Sequence, residues 1–263
     1  MERESVLLSI IIPSFNDPRI TNAIASVRRF DDCGQVQIVV VDGGSGTALL
    51  EAVGALLHED DILISEPDRG IFDALNKGLE RAEGEFIGWI GSDDIFTPEV
   101  KSSEVIDALA QVDLFIGGTM MLRGNRVSRA LWLSRFPVRA AYLGLHNPHF
   151  STFGRATLLR SERFAVECPV ADIDYFLRIF RRKPSVSVDQ RTVTLMQLGG
   201  FSNASLASVI AHNREVFRIY RAYVSLPQAA LALLLKTVPK LFSVFFYRIR
   251  TYRVQDELIE LQA

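Results

Sequence analysis

Residues 62–94 read ILISEPDRGIFDALNKGLERAEGEFIGWIGSDD, and this stretch decides the fold. It begins with a short apolar strand, Ile62–Ser65, passes through a polar loop, and then has helical periodicity across Ile71–Ala82. Gly84 ends the helix, and Phe86–Ile90 is a second apolar strand that acidic residues follow at once. A strand, a helix and another strand in this order predict a parallel α/β unit with a right-handed crossover.

The same alternation extends over the first 118 residues. Leu7–Ile12 and Val36–Val41 are continuous apolar runs, which are typical of strands covered on both faces. A helix is predicted after each of them and another from Pro98 to about Ala110, and a further strand begins at Leu114–Ile116. We therefore expect an α/β fold with a Rossmann-like, mostly parallel sheet that is flanked by helices.

Polar residues follow four of these strands at the point where each strand ends. In parallel α/β sheets, ligands bind outside the carboxyl ends of the strands. The polar clusters are Ser14–Asn16, Asp42–Ser45, Glu66–Gly70 and Ser92–Asp94. Because all four fall at the same edge of the predicted sheet, we expect a ligand-binding site there.

Composition and charge exclude several classes of protein. Hydrophobic residues make up 48% and charged residues 23% of the 263 residues, which excludes a disordered or collagen-like chain. The 29 basic and 31 acidic residues give a net charge of −2, so no nucleic-acid partner is expected. Cys33 and Cys168 form no close pair, and Met1–Ser5 lacks a signal-peptide pattern. These features favour a reducing, cytoplasmic location.

The charge is distributed unevenly along the chain. Between Leu206 and Arg253, eight basic residues and one acidic residue give +7, whereas the first 205 residues carry −6. Leu226–Arg253 alternates apolar blocks with Lys and Arg, and its apolar runs are too short to span a bilayer. We predict a domain over residues 1–205 and a helical, amphipathic appendage over 206–263. The appendage is expected to lie on the inner face of the cell membrane, with packing on the body or a homo-oligomer interface as the alternatives.

Several nucleotide-binding and hydrolase motifs are absent from the sequence. Asp42–Gly46 follows a strand and precedes a helix, but it lacks the G-x-G-x-x-G spacing of a dinucleotide site. The chain has no Gly-Lys-Ser/Thr of a P-loop, no Gly-x-Ser-x-Gly elbow and no His-Glu-x-x-His zinc motif. The chemistry must therefore come from another set of residues.

Ser92-Asp93-Asp94 is the strongest candidate for a metal site. Two adjacent carboxylates after a buried strand repel each other unless a cation or hydrogen-bond donors share the site. Mg²⁺ and Mn²⁺ take oxygen ligands, often one or two carboxylates together with substrate phosphates. The alternative is a helix N-cap before Pro98, since Ser and Asp dominate that position.

The motifs taken together resemble those of the family 2 glycosyltransferases, and most closely the bacterial polysaccharide-assembly branch. Glu66–Gly78 resembles the family's E-P-D-x-G-I-Y-D-A-x-N-K-G, with Phe72 in place of Tyr, and leads to Gly91–Asp94. Ser9–Asn16 resembles S-I-I-x-P-x-Y/F-N, and Val39–Thr47 resembles V-V-D-G-x-S-x-D-x-T with one residue missing. The resemblance covers roughly residues 5–205. It implies the GT-A fold and a nucleotide-diphosphate sugar donor, which is UDP-, GDP- or dTDP-linked.

The resemblance also implies a donor site, residue by residue. Asp94 would be the direct ligand of Mn²⁺ or Mg²⁺, and Asp93 would contact the ribose or the metal's outer shell. Many relatives carry another Asp where this chain has Gly91, so loose metal binding is expected. The residues that would contact the nucleotide are Pro13, Ser14, Phe15, Asn16, Asp42, Asp68, Arg69, Asn76 and Lys77. For the last two, the alternative is a solvated helix face.

The acceptor side would come from the second half of the chain. Asp172–Phe180 has helical periodicity, and Ala171–Arg178 resembles the family's A-D-Y-D/E-F-L-L-R. Its first acid, Asp172, would be the general base that takes the proton from the acceptor hydroxyl, with a helix N-cap as the alternative. His149, in an H-x-x-x-F segment, and Gly200, in a G-G-x-S segment, would face the acceptor or the diphosphate.

These expectations combine into one function. The chain would be an inverting, metal-dependent glycosyltransferase that moves a sugar to a hydroxyl of a lipid-linked glycan in polysaccharide biosynthesis. Two alternatives stay open at this point: a sugar-phosphate nucleotidyltransferase, and a non-catalytic protein that binds a nucleotide sugar or another protein. The first would need a Gly-rich N-terminal loop with Arg and Lys, which is absent at Pro13–Arg19.

Overall fold

A computed structural model describes residues 6–123, 126–131, 142, 149–197 and 206–235. The strands in this part of the chain are β1 (Leu8–Ser14), β2 (Val36–Asp42), β3 (Ile62–Ser65), β4 (Phe86–Trp89), β5 (Ile95–Phe96), β6 (Leu114–Arg123), β7 (Arg126–Leu131), β8 (Thr152–Arg155) and β9 (Val186–Gln197). The helices are α1 (Ile20–Phe30), α2 (Thr47–Gly54), α3 (Ile71–Arg81), α4 (Ser102–Gln111), α5 (Ala156–Leu159), α6 (Ala171–Arg181), α7 (Leu206–Tyr223) and α8 (226–235).

The strands form one sheet in the order β3-β2-β1-β4-β8-β6-β9-β5, and β7 pairs with β6. The first four strands in this order pair in parallel with one another, as predicted from the strand–helix alternation, whereas β4 is antiparallel to β8. Ser14 lies opposite Asp42, and Asp42 lies opposite Ser65, so the carboxyl ends of β1, β2 and β3 meet at one edge. This register brings the polar clusters of three loops together.

The second half of the sheet mixes strand directions. β6 is parallel to β9 and antiparallel to β8, and β5 is antiparallel to β9. The strand predicted to begin at Leu114–Ile116 is the start of β6, which then continues into a hairpin with β7. Sequence periodicity did not predict β5, β8 or β9, because they are short, irregular or partly exposed.

The apolar runs of β1 and β2 are buried at every position, because helices cover both faces of the sheet. Side chains alternate along β1: Ile11 joins the core beneath α3 and α6, whereas Ile10 and Ile12 join the core beneath α1 and α4. A Cβ on Gly78 would lie 2.4 Å from Ile11 Cγ2. Glycine at this position therefore allows α3 to lie close against β1.

Helix α4 begins four residues later than predicted. Pro98 was expected to start the helix, but the first helical residue is Ser102. Asp32, from the loop after α1, accepts hydrogen bonds from the Ser103 N–H at 3.0 Å and the Ser103 hydroxyl at 2.8 Å. A residue distant in sequence thus caps this helix end together with a local bond, in which Glu104 accepts the N–H of Lys101 at 3.2 Å.

The first part of the appendage packs on the body. Val216, Tyr220, Ala229 and Ala232 are buried in the same core as Trp89. In the described part of the chain, no helix is long and apolar enough to cross a membrane. The predicted boundary near residue 205 and the basic segment after residue 235 lie outside the described residues.

Candidate active site

Asp42 organises the turn that follows β2. Its carboxylate accepts hydrogen bonds from the N–H groups of Gly44 and Ser45, at 2.9 and 2.7 Å, and from the hydroxyls of Ser45 and Ser65. Burial by itself would raise the pKa of Asp42, but the bonds from Ser45, Ser65 and Gly44 lower it below its usual value. Asp42 is thus an ionised anchor for this turn, a role that the motif did not indicate.

The same turn holds the loop after β1. Asn16 donates its N–H to Ser45 Oγ at 2.7 Å, and Gly43 donates its N–H to the Ser14 carbonyl at 2.8 Å. Asn16 has a φ of 50°, in the left-handed region, which Asn tolerates better than most residues. This local geometry leaves the ring of Phe15 63% exposed.

Phe15, Gly43 and Asp68 meet at the carboxyl edge of the sheet. A Cβ on Gly43 would lie 2.8 Å from Asp68 Oδ2 and 3.2 Å from Phe15 Cδ2. An aromatic ring and a carboxylate therefore flank the same glycine. An exposed ring offers a stacking surface for a nucleobase, and a carboxylate beside it accepts hydrogen bonds from sugar hydroxyls. We call Phe15, Gly43 and Asp68 the cradle.

Lys77 and Arg69 stabilise the loop that carries Asp68. The Lys77 ammonium contacts Glu66 Oε1 at 2.8 Å and donates to the Pro67 carbonyl at 3.1 Å. Arg69 pairs with Asp73 at 3.3 Å and stays largely exposed. Lys77 therefore acts on the loop, whereas the guanidinium of Arg69 lies at its surface, where it can reach an anionic ligand.

Asn76 joins α3 to a distant segment. Its amide donates to the Phe164 carbonyl at 2.9 Å and accepts from the Phe164 N–H at 2.9 Å. Both ends of the amide are engaged inside the protein, so a solvated helix face does not describe this residue, and its nucleotide contact stays a prediction. A partner 88 residues away leaves no signal in the local pattern.

Asp94 is 3% exposed, and its carboxylate accepts backbone hydrogen bonds from Gln197, at 3.1 Å, and from Gly91. Burial, with a smaller contribution from the charge of Asp93, raises the pKa of Asp94 to about 8. Asp93 is partly exposed, and burial also raises its pKa. The alternative of a helix N-cap is wrong for this pair, because α4 begins only at Ser102.

Arg19 is a residue of this site that sequence reasoning missed. Its guanidinium lies 3.4 Å from Asp93 Oδ2 and 2.8 Å from Asp17 Oδ2, and the Ser92 hydroxyl donates to the same Asp17 oxygen at 3.0 Å. The loop after β1 and the loop after β4 are therefore joined by a charged network. No local pattern in Asp17-Pro18-Arg19 indicates this network, because its partners lie more than 70 residues away.

Asp172 lies in the first turn of α6, beside His149. Val170 occupies the N-cap position, so the alternative that Asp172 is the N-cap is wrong. His149 Nδ1 is 3.5 Å from Asp172 Oδ2, and both side chains are mostly buried. Burial lowers the pKa of His149, although the charge of Asp172 opposes this shift. His149 is therefore neutral at pH 7. Gly200 lies outside the described residues.

A family model described as glycosyl transferase family 2 matches residues 9–185, well over half of the chain. The chain belongs to glycosyl transferase family 2. The resemblance inferred from the motifs is therefore confirmed.

Two bacterial relatives of this family 2 glycosyltransferase show the level of sequence similarity. A PGL/p-HBAD biosynthesis glycosyltransferase of Mycobacterium tuberculosis is 28% identical over 213 residues, which is 75% of this chain and 79% of the relative. An uncharacterized glycosyltransferase of Rickettsia conorii is 26% identical over 68% of this chain and 32% of the relative.

Solved structures confirm the GT-A fold. TarS 1–349 of S. aureus, in complex with UDP-GlcNAc, matches 88% of this chain and 71% of that chain with a TM-score of 0.65 and 18% identity. The mannosyltransferase PcManGT from Pyrobaculum calidifontis, in complex with GDP-Man and Mn²⁺, matches 97% of this chain and 83% of that chain with a TM-score of 0.55 and 16% identity. At these identities the likeness concerns the fold.

The acidic pair of this glycosyltransferase suits the divalent metal that many GT-A enzymes use. Among the described residues, no three His, Cys, Asp or Glu side chains group into a metal site. Asp94 is nevertheless a buried acid whose pKa is raised by burial, and a cation beside it would favour its ionised form. A Cβ on Gly91 would lie 2.6 Å from Asp94 Oδ2, so glycine leaves this space to the carboxylate. Two carboxylates fit an ion whose other ligands are substrate oxygens.

Proposed function

We propose that this enzyme transfers one sugar, with inversion and with a divalent metal, from a nucleotide diphosphate to a hydroxyl of a glycan. The observation that carries the proposal is the position of Asp94. This buried acid follows β4, and the cradle of Phe15, Gly43 and Asp68 follows the neighbouring strands β1, β2 and β3 at the same edge of the sheet. A nucleotide on the cradle and a diphosphate at the acidic pair fit this arrangement.

On the donor side, one group of residues would bind the nucleotide and another would bind the metal ion. Phe15 would stack on the base, Asp68 would bind the ribose, and Arg69 would contact the diphosphate. Asp94 and Asp93 would hold Mn²⁺ or Mg²⁺, which supplies charge stabilisation to the departing diphosphate. The structural relatives bind UDP-GlcNAc and GDP-Man, which supports a UDP-, GDP- or dTDP-linked donor for this chain.

Asp172 is the proposed general base. As the acceptor oxygen attacks the anomeric carbon, the bond from that carbon to the diphosphate oxygen breaks, and the hydroxyl proton passes to Asp172. A single displacement of this kind inverts the configuration at the anomeric carbon. The turn that carries His149 is bonded to β9 through Thr194, and Gln197 of the same strand binds Asp94. β9 thus connects the proposed base to the acidic pair.

Three variants test this function. Asp94→Asn and Asp172→Asn are expected to abolish transfer, whereas Asp107→Asn, an exposed position on α4, keeps it. Donor identity comes from thermal shifts with UDP, GDP and dTDP, with and without Mn²⁺, because a ligand raises the stability of the state it binds. Transfer that survives both site variants refutes the mechanism and favours a different active site. Nucleotide binding with no transfer in wild type favours the non-catalytic alternative.

We propose that the acceptor is lipid-linked and that the enzyme works at an anionic membrane surface. The residues of α8 support this proposal. Ala229 and Ala232 are buried, whereas Leu231, Leu234 and Leu235 are exposed on the opposite face. Leu233 packs against the core beside these alanines, so the outward face presents Leu231, Leu234 and Leu235, and Lys236 and Lys240 follow in the sequence. Exposed leucines beside basic residues suit the interface of an anionic bilayer.

Vesicle sedimentation tests the membrane proposal. Wild type is expected to bind vesicles that contain phosphatidylglycerol and to bind pure phosphatidylcholine weakly. Replacing Leu231, Leu234 and Leu235 with Gln should remove most of this binding, whereas Leu56→Gln with Leu63→Gln, which removes exposed leucines from the body, should not. Equal binding by both variants contradicts the proposal. A change in oligomeric mass without a change in vesicle binding assigns the leucine face to a second copy of the chain.

A further inference from the structure

We infer that His149 is a positioning residue that holds the carboxylate of Asp172 toward the acceptor hydroxyl. This inference rests on the proposed function in that it takes Asp172 as the base. Its direct observation is the 3.5 Å separation of His149 Nδ1 and Asp172 Oδ2, across two elements far apart in the chain. At this separation the interaction is electrostatic: a neutral imidazole that carries its proton on Nδ1 turns the positive end of its N–H dipole toward the carboxylate, which favours one orientation of the carboxylate without neutralising its charge.

Hydrogen bonds to strands β6 and β9 fix the turn that carries His149. Ser151, the last residue of the 3-10 turn His149–Ser151, is fully buried, and its hydroxyl contacts Thr119 of β6 at 2.6 Å and Thr194 of β9 at 2.9 Å. Thr194 Oγ1 also donates to the Phe150 carbonyl at 2.9 Å. Three buried hydroxyls therefore fix this turn between two strands. Buried polar networks of this kind specify one arrangement when every member is satisfied.

Two other residues near Asp172, Tyr220 and Asp174, bring no positive charge to its carboxylate. Tyr220 of α7 faces it, and burial, with a smaller contribution from the charge of Asp172, raises the pKa of Tyr220 well above its usual range. Asp174, on the same helix, is turned away toward Arg178 at 2.9 Å and the Tyr223 hydroxyl at 2.7 Å. A neutral imidazole and a neutral phenol thus flank an acid that must stay ionised to accept a proton.

This role differs from the direct contact with acceptor or diphosphate that the motif implied for His149. A diphosphate ligand would be served best by a protonated imidazole, whereas burial lowers the pKa of His149 and keeps the ring neutral. A positioning residue acts on the chemical step through Asp172 and leaves donor binding unchanged. The two roles therefore predict different kinetic effects.

The kinetic test uses the full chain and three variants. His149→Ala is expected to lower kcat about tenfold, because the carboxylate loses the polar neighbour that orients it, with the donor KM unchanged. His149→Asn, whose amide nitrogen can replace Nδ1, should restore most of this loss, and His58→Asn, at an exposed histidine, should have no effect. An unchanged kcat, an equal loss in the Ala and Asn variants, or a raised donor KM with normal kcat each overturn the inference.

A second measurement needs no substrate, so it separates the failure of the inference from the failure of the proposed function. Nitrogen-15 NMR of labelled histidine reports which ring nitrogen carries the proton. We expect His149 in wild type to be neutral and protonated on Nδ1, with its signal shifted in Asp172→Asn. A proton on Nε2 alone, or a signal that Asp172→Asn leaves unchanged, overturns the contact whatever reaction the enzyme catalyses.

Discussion

Replacement of Asp94 by Asn should make the metal-free protein more stable, and increasingly so as the pH rises. Burial raises the pKa of Asp94 in the folded state to about 8, whereas in the unfolded chain it is expected at its ordinary value of 3.8. Between these two values the folded protein keeps a proton that the unfolded chain releases. Unfolding therefore becomes more favourable with each step in pH through this window.

The expected change in stability follows from the slope of the free energy of unfolding against pH. One pKa unit corresponds to about 1.4 kcal/mol, so between pH 5 and pH 7 the wild type loses about 3 kcal/mol relative to a variant that cannot ionise at this position. Asn keeps the shape of the side chain and can still accept the N–H of Gln197. Other titrating groups are common to both proteins, so they largely cancel in the difference.

The assay is urea unfolding of wild type and Asp94→Asn in metal-free buffer at pH 5 and pH 7. The difference in the free energy of unfolding should grow by about 3 kcal/mol between these values in favour of the variant. Added Mn²⁺ should stabilise the wild type at pH 7 and leave the variant little changed, because an ion that binds the folded state raises its stability. A difference that is constant between pH 5 and pH 7 refutes the reasoning that Asp94 is a protonated, uncompensated buried acid.

Three further predictions concern the cradle and its support. Phe15→Ala should weaken donor binding roughly tenfold to a hundredfold in calorimetry with little effect on kcat, since stacking on one aromatic ring is worth about 1–3 kcal/mol. Gly43→Ala should also weaken donor binding, because its Cβ would lie 2.8 Å from Asp68 Oδ2, and a normal affinity would show that Asp68 does not form the site. Asn76→Ala should lower the free energy of unfolding by about 1–3 kcal/mol, since it leaves both backbone groups of Phe164 unpaired, and the donor KM should stay near wild type.

The part of the fold that the sequence predicted is the part that depends on continuous burial. β1 and β2 are buried at every residue, so their composition alone distinguishes them from helices and from half-exposed strands. Their carboxyl ends then had to meet at one edge, and the register of Ser14, Asp42 and Ser65 confirms this. Strand β9 has an irregular pattern of exposure and a shifted register beside β6, so no period-2 signal could identify it.

For the predicted site residues, too, the element that carries a residue decided how much the sequence could predict about it. Residues at strand ends, such as Asp42 and Asp94, were located correctly at the edge of the sheet because the strand itself determines their place. For residues on α3 the sequence could not predict the partners, since a helix presents side chains on all sides and periodicity states only which side is buried. Asn76 lies at the border of the buried face, where it bonds to Phe164.

Arg19 shows why a charge pattern in one loop does not predict its partner. The Arg–Asp spacing within Asp17-Pro18-Arg19 indicates only a local pair, and that pair exists at 2.8 Å. The same guanidinium also lies 3.4 Å from Asp93, which belongs to another loop of the sheet edge. The charge of Asp93 adds to the raised pKa of Asp94, whereas the charge of Arg19 opposes it, so a cation supplied by the protein lowers the cost of ionising the pair before the donor binds. Arg19 and a metal ion therefore act on the same charge, and Arg19→Gln should make the folded protein more dependent on added Mn²⁺ for its thermal stability.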